Sequence, residues 1–593
     1  MKKKATGAFL QKPLSATFSV IDSEPLSNSA TGEQSYNAIN ESSTNDGINA
    51  NKSGSIERHL SLFDLVNIGV GGTIGSGIFV LCGVVANKYA GPATCICWII
   101  SGFAACLSGV CYAELACRLP AAGSSYVYVY ASMGELPAVC VAACLTLEYV
   151  VSGAAVARSW GDKMVRWLSE DLHMHQFDEG TQFNILDPGY NFNPLAALIS
   201  AASVLLLMNG VKESTRVTNF ITMIKVSLVA FMALVGMSLM KPQNLTPFIP
   251  PAFGYAGIFR GATSCFFGYI GFDELACLSH EAKNPQKNMP LSIVYTLGIV
   301  ATLYFFAALA LTGMQPYENI SNVSGFPVAF RSNNWDWAAQ ISAFGEVFTL
   351  PITVLISVMA QPRLQYALAK DGLLPSVFAK VDESGNLWHG IVISGILMTT
   401  IAAFVPFNSL NDSISAGILL AFTMTDASLI LMRYDSPDSN EDLLERSLSW
   451  FNLASFGFSV AITHFFTNTI GKAIAFISLW KLFACVAEIR YKCTPVEFFG
   501  GKHRKGSKDM AMTGNDYFKT PLMPYVPLFG MFINWYLIAQ LELIGLCILL
   551  GFLGMITIFY FSYCQKHSIG NNGGWQEDHI NDHVYSNEES LLN

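Results

Sequence analysis

The chain has 593 residues, of which 52% are apolar and 13% charged, with a formal net charge of −9. A soluble domain carries charge on roughly a quarter of its residues, so this length does not read as a string of soluble domains. No basic run interleaved with aromatic residues points to nucleic acid, and the composition fits an all-α protein embedded in a lipid bilayer.

Residues 1–58 are rich in Ser, Asn and Thr and read as a disordered cytosolic tail. The start, Met1-Lys2-Lys3-Lys4, lacks a following apolar core and so does not read as a secretory signal. About fourteen apolar stretches of roughly 17–25 residues follow, each long enough to cross a bilayer. They cover 62–86, 93–113, 135–157, 194–210, 217–240, 257–279, 291–314, 338–360, 389–406, 412–433, 450–468, 470–489, 522–542 and 544–563. The fourth, ninth and eleventh are short or weak, so the reading extends from twelve to fourteen spans. The chain divides into the tail, a ten-helix core over 59–433, four additional helices over 434–564 with a basic loop at 490–521, and an acidic tail at 565–593. The last tail holds Glu588-Glu589-Ser590-Leu591-Leu592, which reads either as an acidic dileucine sorting signal or as a solvated end.

Two stretches are interrupted by small residues. The first reads Ile68-Gly69-Val70-Gly71-Gly72-Thr73-Ile74-Gly75-Ser76-Gly77-Ile78-Phe79, the second Phe266-Phe267-Gly268-Tyr269-Ile270-Gly271-Phe272-Asp273. A helix broken in mid-membrane bares N–H and C=O groups that hydrocarbon cannot satisfy, so water, an ion or a substrate must fill the break. Two breaks, at the first helix of each half of the core, point to a repeated transporter fold with a central site. Around Gly75, Ser76 and Gly77 an unwound backbone and a half-helix N-terminus suit a carboxylate. Around Phe267, Gly268 and Ile270 the freed carbonyls accept from an ammonium, so the pair suits an α-amino acid. The competing reading is close helix packing through glycine.

Lys and Arg set the orientation. With the N-terminus in the cytosol, the inside loops hold Lys212 and Arg216, Lys283 and Lys287, Arg363, Lys370 and Lys380, and the cluster from Arg490 to Lys519. The largest outside loop, 158–193, offsets Arg158, Lys163 and Arg166 with Glu170, Asp171, Asp178, Glu179 and Asp187. Both tails then face the cytosol. The sequons at Asn244, Asn319 and Asn322 fall outside, where glycosylation is available, whereas Asn40 and Asn51 fall inside. The 14 cysteines lie almost all within or beside the spans; they form no metal pair or disulfide framework and read as small packing residues.

The chain resembles the cationic amino acid transporter family of the amino acid–polyamine–organocation (APC) superfamily. The matching stretches include Gly69 to Phe79, Cys111-Tyr112-Ala113-Glu114-Leu115, Pro120 to Tyr126, Glu148-Tyr149, Val156 to Trp160, Tyr269 to Asp273, Glu281 to Pro290, Gln361-Pro362-Arg363 and Ala369 to Pro375. They continue through Pro521-Leu522-Met523-Pro524 and Asn534-Trp535-Tyr536-Leu537. The resemblance implies two five-helix inverted repeats, as in LeuT-like folds, with spans 1 and 6 broken and four helices added. It implies that Ser76 and Gly77 meet the substrate carboxylate through N–H, and that Ile74, Phe267, Gly268 and Ile270 meet the amine through C=O, with Phe267 also a gate. It further implies no disulfide-linked heavy subunit, since no cysteine lies between spans 3 and 4.

Ionisable residues within the bilayer are functional candidates. Lys225 lies about 12 Å into span 5, at 1.5 Å per residue. Other superfamily members without sodium coupling have a lysine in this span, where its ammonium resembles a substitute for the sodium ion, whereas many eukaryotic cationic transporters lack it. The chain thus leans toward the proton-coupled type, with Lys225 as the coupling candidate, loading and releasing a proton. The alternative is snorkelling to the inner surface. Glu148, in the middle of span 3, is the candidate counter-charge, either for a cationic substrate or for another charge in the bundle. Asp273 reads as a structural or gating charge after the second break, and Glu114 as a loop-anchoring partner of Arg118. Glu346 reads as interfacial, and Thr353 as a lining residue near the kink expected at Pro351.

The expectation is a secondary transporter of amino acids, cationic ones such as arginine, lysine and ornithine first, working by alternating access in the plasma membrane or a vacuolar or lysosomal membrane. No enzyme chemistry, organic cofactor or metal is implied; the partners are the amino acid, the lipid bilayer and protons. The alternatives are a carrier of neutral amino acids or polyamines on the same fold, and an amino acid sensor that signals through its tails.

Overall fold

The computed structural model describes residues 7–14, 58–121, 123–168, 192–208, 211–382, 386–496, 499–500, 517–541 and 543–572. The sequons at Asn40 and Asn51, most of the basic loop, the acidic part of 158–193 and the terminal Leu591-Leu592 lie outside the described residues.

Helix α1 (Leu62–Thr73) starts with a capping box. Asp64 N–H donates to the Ser61 hydroxyl at 3.3 Å, and the Asp64 carboxylate accepts from Ser61 N–H at 2.9 Å. It stops at Thr73 because Ile74 is extended, with ψ 95°. The chain becomes helical again as α2 (77–90), with wide π-type turns over Gly77–Leu81 and Ala86–Ala90. Then follow α3 (Thr94–Arg118), α4 (Ser125–Ser132), α5 (Glu135–Arg166), α6 (Pro194–Met208) and α7 (Val211–Ser238). Helix α8 (Gly254–Phe266) gives way to one tight turn over Phe267–Tyr269, an extended Ile270 and Gly271 at φ 110°, before the short α9 (Glu274–Cys277). The remaining helices are α10 (Pro285–Met314), α11 (Gly325–Ser332), α12 (Asp336–Lys370), α13 (Trp388–Phe404), α14 (Phe407–Arg433), α15 (Leu443–His464), α16 (Thr469–Lys492), α17 (Tyr525–Ala539) and α18 (Leu543–Phe559). Two short strands, β1 (Tyr434–Asp435) and β2 (Thr494–Pro495), pair antiparallel with Tyr434 opposite Pro495.

Each apolar stretch of the sequence overlaps a helix. By length and composition, eight helical segments among the described residues can cross a membrane; one of them, Leu62–Arg118, contains two of the expected stretches. Helices also overrun the apolar stretches. Helix α5 continues to Arg166, so Arg158 and Lys163, expected in an outside loop, are buried on it.

Helix α1 packs against α7, α10 and α12, α3 against α8 and α10, and α14 against α17. The two ends of the described chain meet at one end of the bundle, the near end. There Lys12 Nζ pairs with Asp371 Oδ1 at 2.7 Å, the Tyr126 hydroxyl donates to Asp371 Oδ2 at 2.7 Å, and Ile569 N–H donates to the Asp371 carbonyl at 3.2 Å. Lys12 N–H donates to the Tyr130 carbonyl at 3.2 Å, and Ala8 and Leu14 are buried. The expected disorder of 1–58 therefore does not hold for 7–14: two apolar side chains and one paired lysine seat this segment although the composition around it is polar. The start of the expected acidic tail is likewise helical, at Gln565–His567 and Ile569–Asn572.

Glu114 is fully buried near the end of α3. Its carboxylate accepts from Arg118 Nε at 3.0 Å, Arg433 at 2.8 Å and Thr520 N–H at 2.7 Å, tying α3, α14 and the approach to α17 together at the near end.

Candidate functional site

The two breaks cross each other at the centre of the bundle. A β-carbon on Gly77 would lie 2.5 Å from the α-carbon of Gly268, and one on Gly271 would lie 2.9 Å from the carbonyl carbon of Gly72. Backbone meets backbone at both points, and only glycine allows it. Aromatic rings close in from behind: Trp98 packs on Tyr304 with ring centroids 4.5 Å apart and on Tyr269 at 5.9 Å.

The carbonyls freed by the first break are taken up by side chains. Lys225 Nζ, fully buried, donates to the carbonyls of Gly71 (3.0 Å) and Ile74 (2.7 Å) and to the Thr353 hydroxyl (2.7 Å). The Tyr304 hydroxyl donates to the Thr73 carbonyl at 2.9 Å. The lysine does not reach the surface: its ammonium lies in the break and joins α1, α7 and α12. Thr353 braces that ammonium, lying 3.1 Å from the carbonyls of both Gly71 and Ile74. The Ile74 carbonyl, expected to face a substrate amine, is thus engaged by Lys225. The Ser76 hydroxyl is buried without a partner. In the second break, the Phe267 carbonyl accepts from Ile270 N–H at 3.4 Å.

Beside the crossing, three carboxylates gather inside the protein. Glu148 of α5, Asp273 and Glu274 are all buried. Glu148 lies carboxyl to carboxyl against Asp273, and among the described residues neither Glu148 oxygen meets an N–H or hydroxyl donor. Asp273 Oδ2 accepts from the Tyr149 hydroxyl at 3.1 Å, while its Oδ1 and Glu274 Oε2 are unpartnered. Glu274 Oε2 would lie 3.0 Å from a β-carbon on Gly72, at the edge of the first break. Carboxylates this close require a cation or a shared proton between them.

Ties close the bundle at both ends. At the far end Lys163 of α5 forms a buried ion pair with Glu346 of α12 and donates to the carbonyls of Phe79 (3.2 Å) and Val323 (2.7 Å). Glu346 is thus interior, not interfacial. At the near end Arg363 Nε of α12 pairs with Glu281 Oε1 at 2.6 Å, with His59 and His280 flanking the same carboxylate. The residues before α1 run alongside the segment after α9: His59 and Leu60 N–H donate to the Glu281 carbonyl, and Lys283 N–H to the Leu60 carbonyl. Burial, the largest influence, raises the Glu281 carboxyl, but the Arg363 guanidinium together with His280 and His59 more than offsets it and holds the group below the ordinary carboxylate range. Burial pushes the His280 imidazole down to about 4, leaving it neutral near pH 7.

The sequence reading missed the pairing of Lys163 with Glu346, because the apolar stretch ends before α5 does. It also missed Asp426, a carboxylate in the middle of the helix over the stretch 412–433. The rule that flagged Lys225, an ionisable residue inside a span, finds it. Asn244, Asn319 and Asn322 all lie at the far end, where Lys241 N–H donates to the Gly313 carbonyl at 3.0 Å.

A family model described as amino acid permease matches residues 60–486, and a second, described as the C-terminus of AA permease, matches 518–568. The chain is 39% identical over 395 residues to a methylthioribose transporter of Bacillus subtilis (strain 168), covering 65% of this chain and 84% of that protein. It is 35% identical to cationic amino acid transporter 4, vacuolar, of Arabidopsis thaliana, covering 65% and 64% of the two chains. With human cationic amino acid transporter 4 the identity is 34%, covering 65% and 62%. The chain thus spans just under two thirds of these two cationic relatives. A solved structure of MhsT in complex with L-phenylalanine gives a TM-score of 0.48 at 13% identity over 73% of this chain and 99% of that one, too low to carry an argument.

Proposed function

The chain belongs to the amino acid permease family, and from that premise we propose that it carries cationic amino acids such as arginine, lysine and ornithine across its membrane by alternating access. The observation that carries the cationic reading is the Glu148–Asp273–Glu274 group, with its unpartnered buried oxygens beside the crossing of the breaks. A guanidinium or ammonium side chain supplies the positive charge that these carboxylates lack. Relatives named cationic amino acid transporters support the same reading.

In this proposal Ser76 and Gly77 offer N–H groups to the substrate carboxylate, and Phe267, Gly268 and Ile270 offer carbonyls to its amine once the crossing loosens. Lys225 is the coupling residue. Protonated, it bridges α1 to α7 and α12; neutral, it releases the Gly71 and Ile74 carbonyls. The Lys163–Glu346 and Arg363–Glu281 pairs alternate as the outer and inner closures. The architecture is a fourteen-span, 5+5 inverted-repeat core with four added helices, the near end and both tails cytosolic, working without a heavy subunit. Asn244, Asn319 and Asn322 are then on the outside.

A second reading, a carrier of an uncharged substrate, is favoured by the relative named as a methylthioribose transporter, at 39% identity. Radiolabelled uptake into proteoliposomes with a competition panel, with and without a pH gradient, decides. Arginine and lysine must compete well ahead of alanine, and methylthioribose must not compete. Competition by methylthioribose alone sinks the cationic assignment, and substrate binding without accumulation or exchange makes the chain a sensor.

A further inference from the structure

A carboxylate lies inside the bundle at a distance from the acids of the central site. Asp426 of α14 is fully buried between α3 and α17. The Ser108 hydroxyl of α3 donates to Asp426 Oδ2 at 2.9 Å, and Asn534 Nδ2 of α17 donates to the same serine oxygen at 3.3 Å. Ser108 and Asn534 are also fully buried; among the described residues the carboxylate meets only the weak Cys111 thiol donor besides Ser108, and Asn534 Oδ1 has no donor. Helix α17 is shaped to receive this carboxylate. A β-carbon on Gly530 would lie 2.7 Å from Asp426 Oδ2, and Gly530 stands one turn before Asn534, on the same face. The three polar residues share a depth: Asp426 is seven residues before Arg433, Ser108 ten before Arg118 and Asn534 nine after Tyr525. That is about 10–15 Å in from the near end at 1.5 Å per residue.

An ionised carboxylate held away from water costs several kcal/mol unless a positive charge accompanies it. Among the described residues none forms an ion pair with Asp426; the nearby Arg118 and Arg433 are engaged by Glu114. The titratable neighbours are few. On α3 they are the Cys111 thiol, beside the carboxylate, and Tyr112, whose hydroxyl meets Ser125 and Thr425. On α4 and α5, Tyr126 bonds Asp371 and Tyr130 bonds Glu135; Tyr128 is the third tyrosine of α4. Arg260 of α8 lies over Tyr89, Glu445 and Arg446 of α15 lie close to the near end, and α17 and α18 carry no charged residue.

We propose that Asp426, Ser108 and Asn534 form a second intramembrane site for one monovalent cation, a proton or an alkali-metal ion, at the seam between α14 and α17. This site is separate from Lys225 and goes beyond the proposed transport activity. It reaches the centre through one turn of helix: Phe422, four residues before Asp426, packs on Phe266 and Phe272 at either side of the second break, with ring centroids 5.8 and 5.2 Å away. Occupancy of the site fixes α14 against α17, and through Phe422 it bears on the crossing.

The test is the melting of the purified full-length protein in sodium, potassium and choline chloride at equal ionic strength, each across a pH series, for wild type, Asp426→Asn and Ser108→Ala. Asn keeps the shape of the carboxyl group without its charge. Above about pH 5, clear of the acid range in which the Glu281 tie acts, the wild-type melting temperature is expected to depend on alkali cation or on pH, with that dependence clearly smaller in Asp426→Asn and weakened in Ser108→Ala. Loss of a sodium or potassium response assigns a metal ion, and loss of a pH response common to all three salts assigns a proton. Equal dependences in wild type and Asp426→Asn overturn the proposal, as does a wild type that responds to neither. If Asp426→Asn yields no folded protein, an unchanged response in Ser108→Ala overturns it. Melting needs no substrate, so the result stands whatever the uptake panel finds.

Discussion

Gly77 and Gly268 press backbone on backbone: a β-carbon on the first would sit 2.5 Å from the α-carbon of the second. The contact joins the two breaks, 191 residues apart in sequence. Any side chain at Gly77 must therefore push the breaks apart or displace a ligand held there.

Gly77→Val should abolish substrate binding and uptake, and Gly77→Ala should reduce both while lowering stability by about 1–3 kcal/mol, the usual cost of overpacking. Scintillation-proximity binding with the purified variants, alongside their melting curves, separates the two effects. A folded Gly77→Val protein that binds substrate normally would show that the first break is a packing feature.

Glu148 lies against Asp273 with no N–H or hydroxyl donor on either oxygen among the described residues. If the substrate's side chain supplies the missing charge, Glu148→Gln should weaken arginine uptake about tenfold more than alanine uptake, a difference of ~1.4 kcal/mol. Initial rates over a concentration series for both substrates check this. Equal losses for both would make Glu148 a structural residue.

The sequence showed the breaks because glycine and serine cluster inside otherwise apolar runs, and the extended Ile74 and Ile270 fall inside those clusters. It showed the depth of Lys225 because depth is a matter of counting residues. It did not show that Lys225 would meet Gly71, Ile74 and Thr353, which are 128 to 154 residues away, since such contacts are set by how helices pack. For the same reason Lys163 and Glu346 read as two separate charges near a surface. Residues 7–14 read as part of a polar tail because the partner of Lys12 is 359 positions further on.

The near-end tie makes a prediction about pH. The folded pKa of Glu281 is depressed: burial raises it, and the Arg363 guanidinium, with His280 and His59, more than offsets that effect. Its contribution to stability is therefore present above the unfolded value of about 4.3 and is lost as pH falls through the folded one. Wild-type melting should be insensitive to this pair from neutral pH down to about pH 4.3 and drop below it. Arg363→Gln leaves a buried carboxyl without its cation, at a cost of about 3–5 kcal/mol. Burial then favours the protonated form, so the variant should lose stability as pH rises from mildly acidic to neutral, the opposite slope to that of the wild type under acid. Melting curves for both proteins across that range are the measurement, and parallel curves would remove the tie from the account.

The last prediction concerns coupling and rests on the place of Lys225 in the first break. Its ammonium is fully buried and holds the Gly71 and Ile74 carbonyls together with the Thr353 hydroxyl, so one side chain joins three helices that must part for the site to open. A carrier that accumulates substrate needs its two open states to differ in how they hold the coupling ion. If the lysine's own proton is that ion, Lys225→Ala removes the ion and its binding site together, and the two break carbonyls lose a donor. Proton-driven accumulation should disappear, whereas exchange of external for internal substrate, which needs no net movement of the ion, should fall less. Wild-type uptake should be unchanged when choline replaces sodium. Lys225→Arg should not rescue accumulation, since a guanidinium stays charged and cannot release the carbonyls. The measurements are counterflow and pH-gradient-driven uptake in proteoliposomes for the three proteins. Concentration of substrate by the alanine variant under an imposed pH gradient would exclude Lys225 as the proton site. Wild-type uptake that follows membrane potential and ignores pH would make the chain a uniporter for cations, with Lys225 as a permanent charge that replaces an ion in the break.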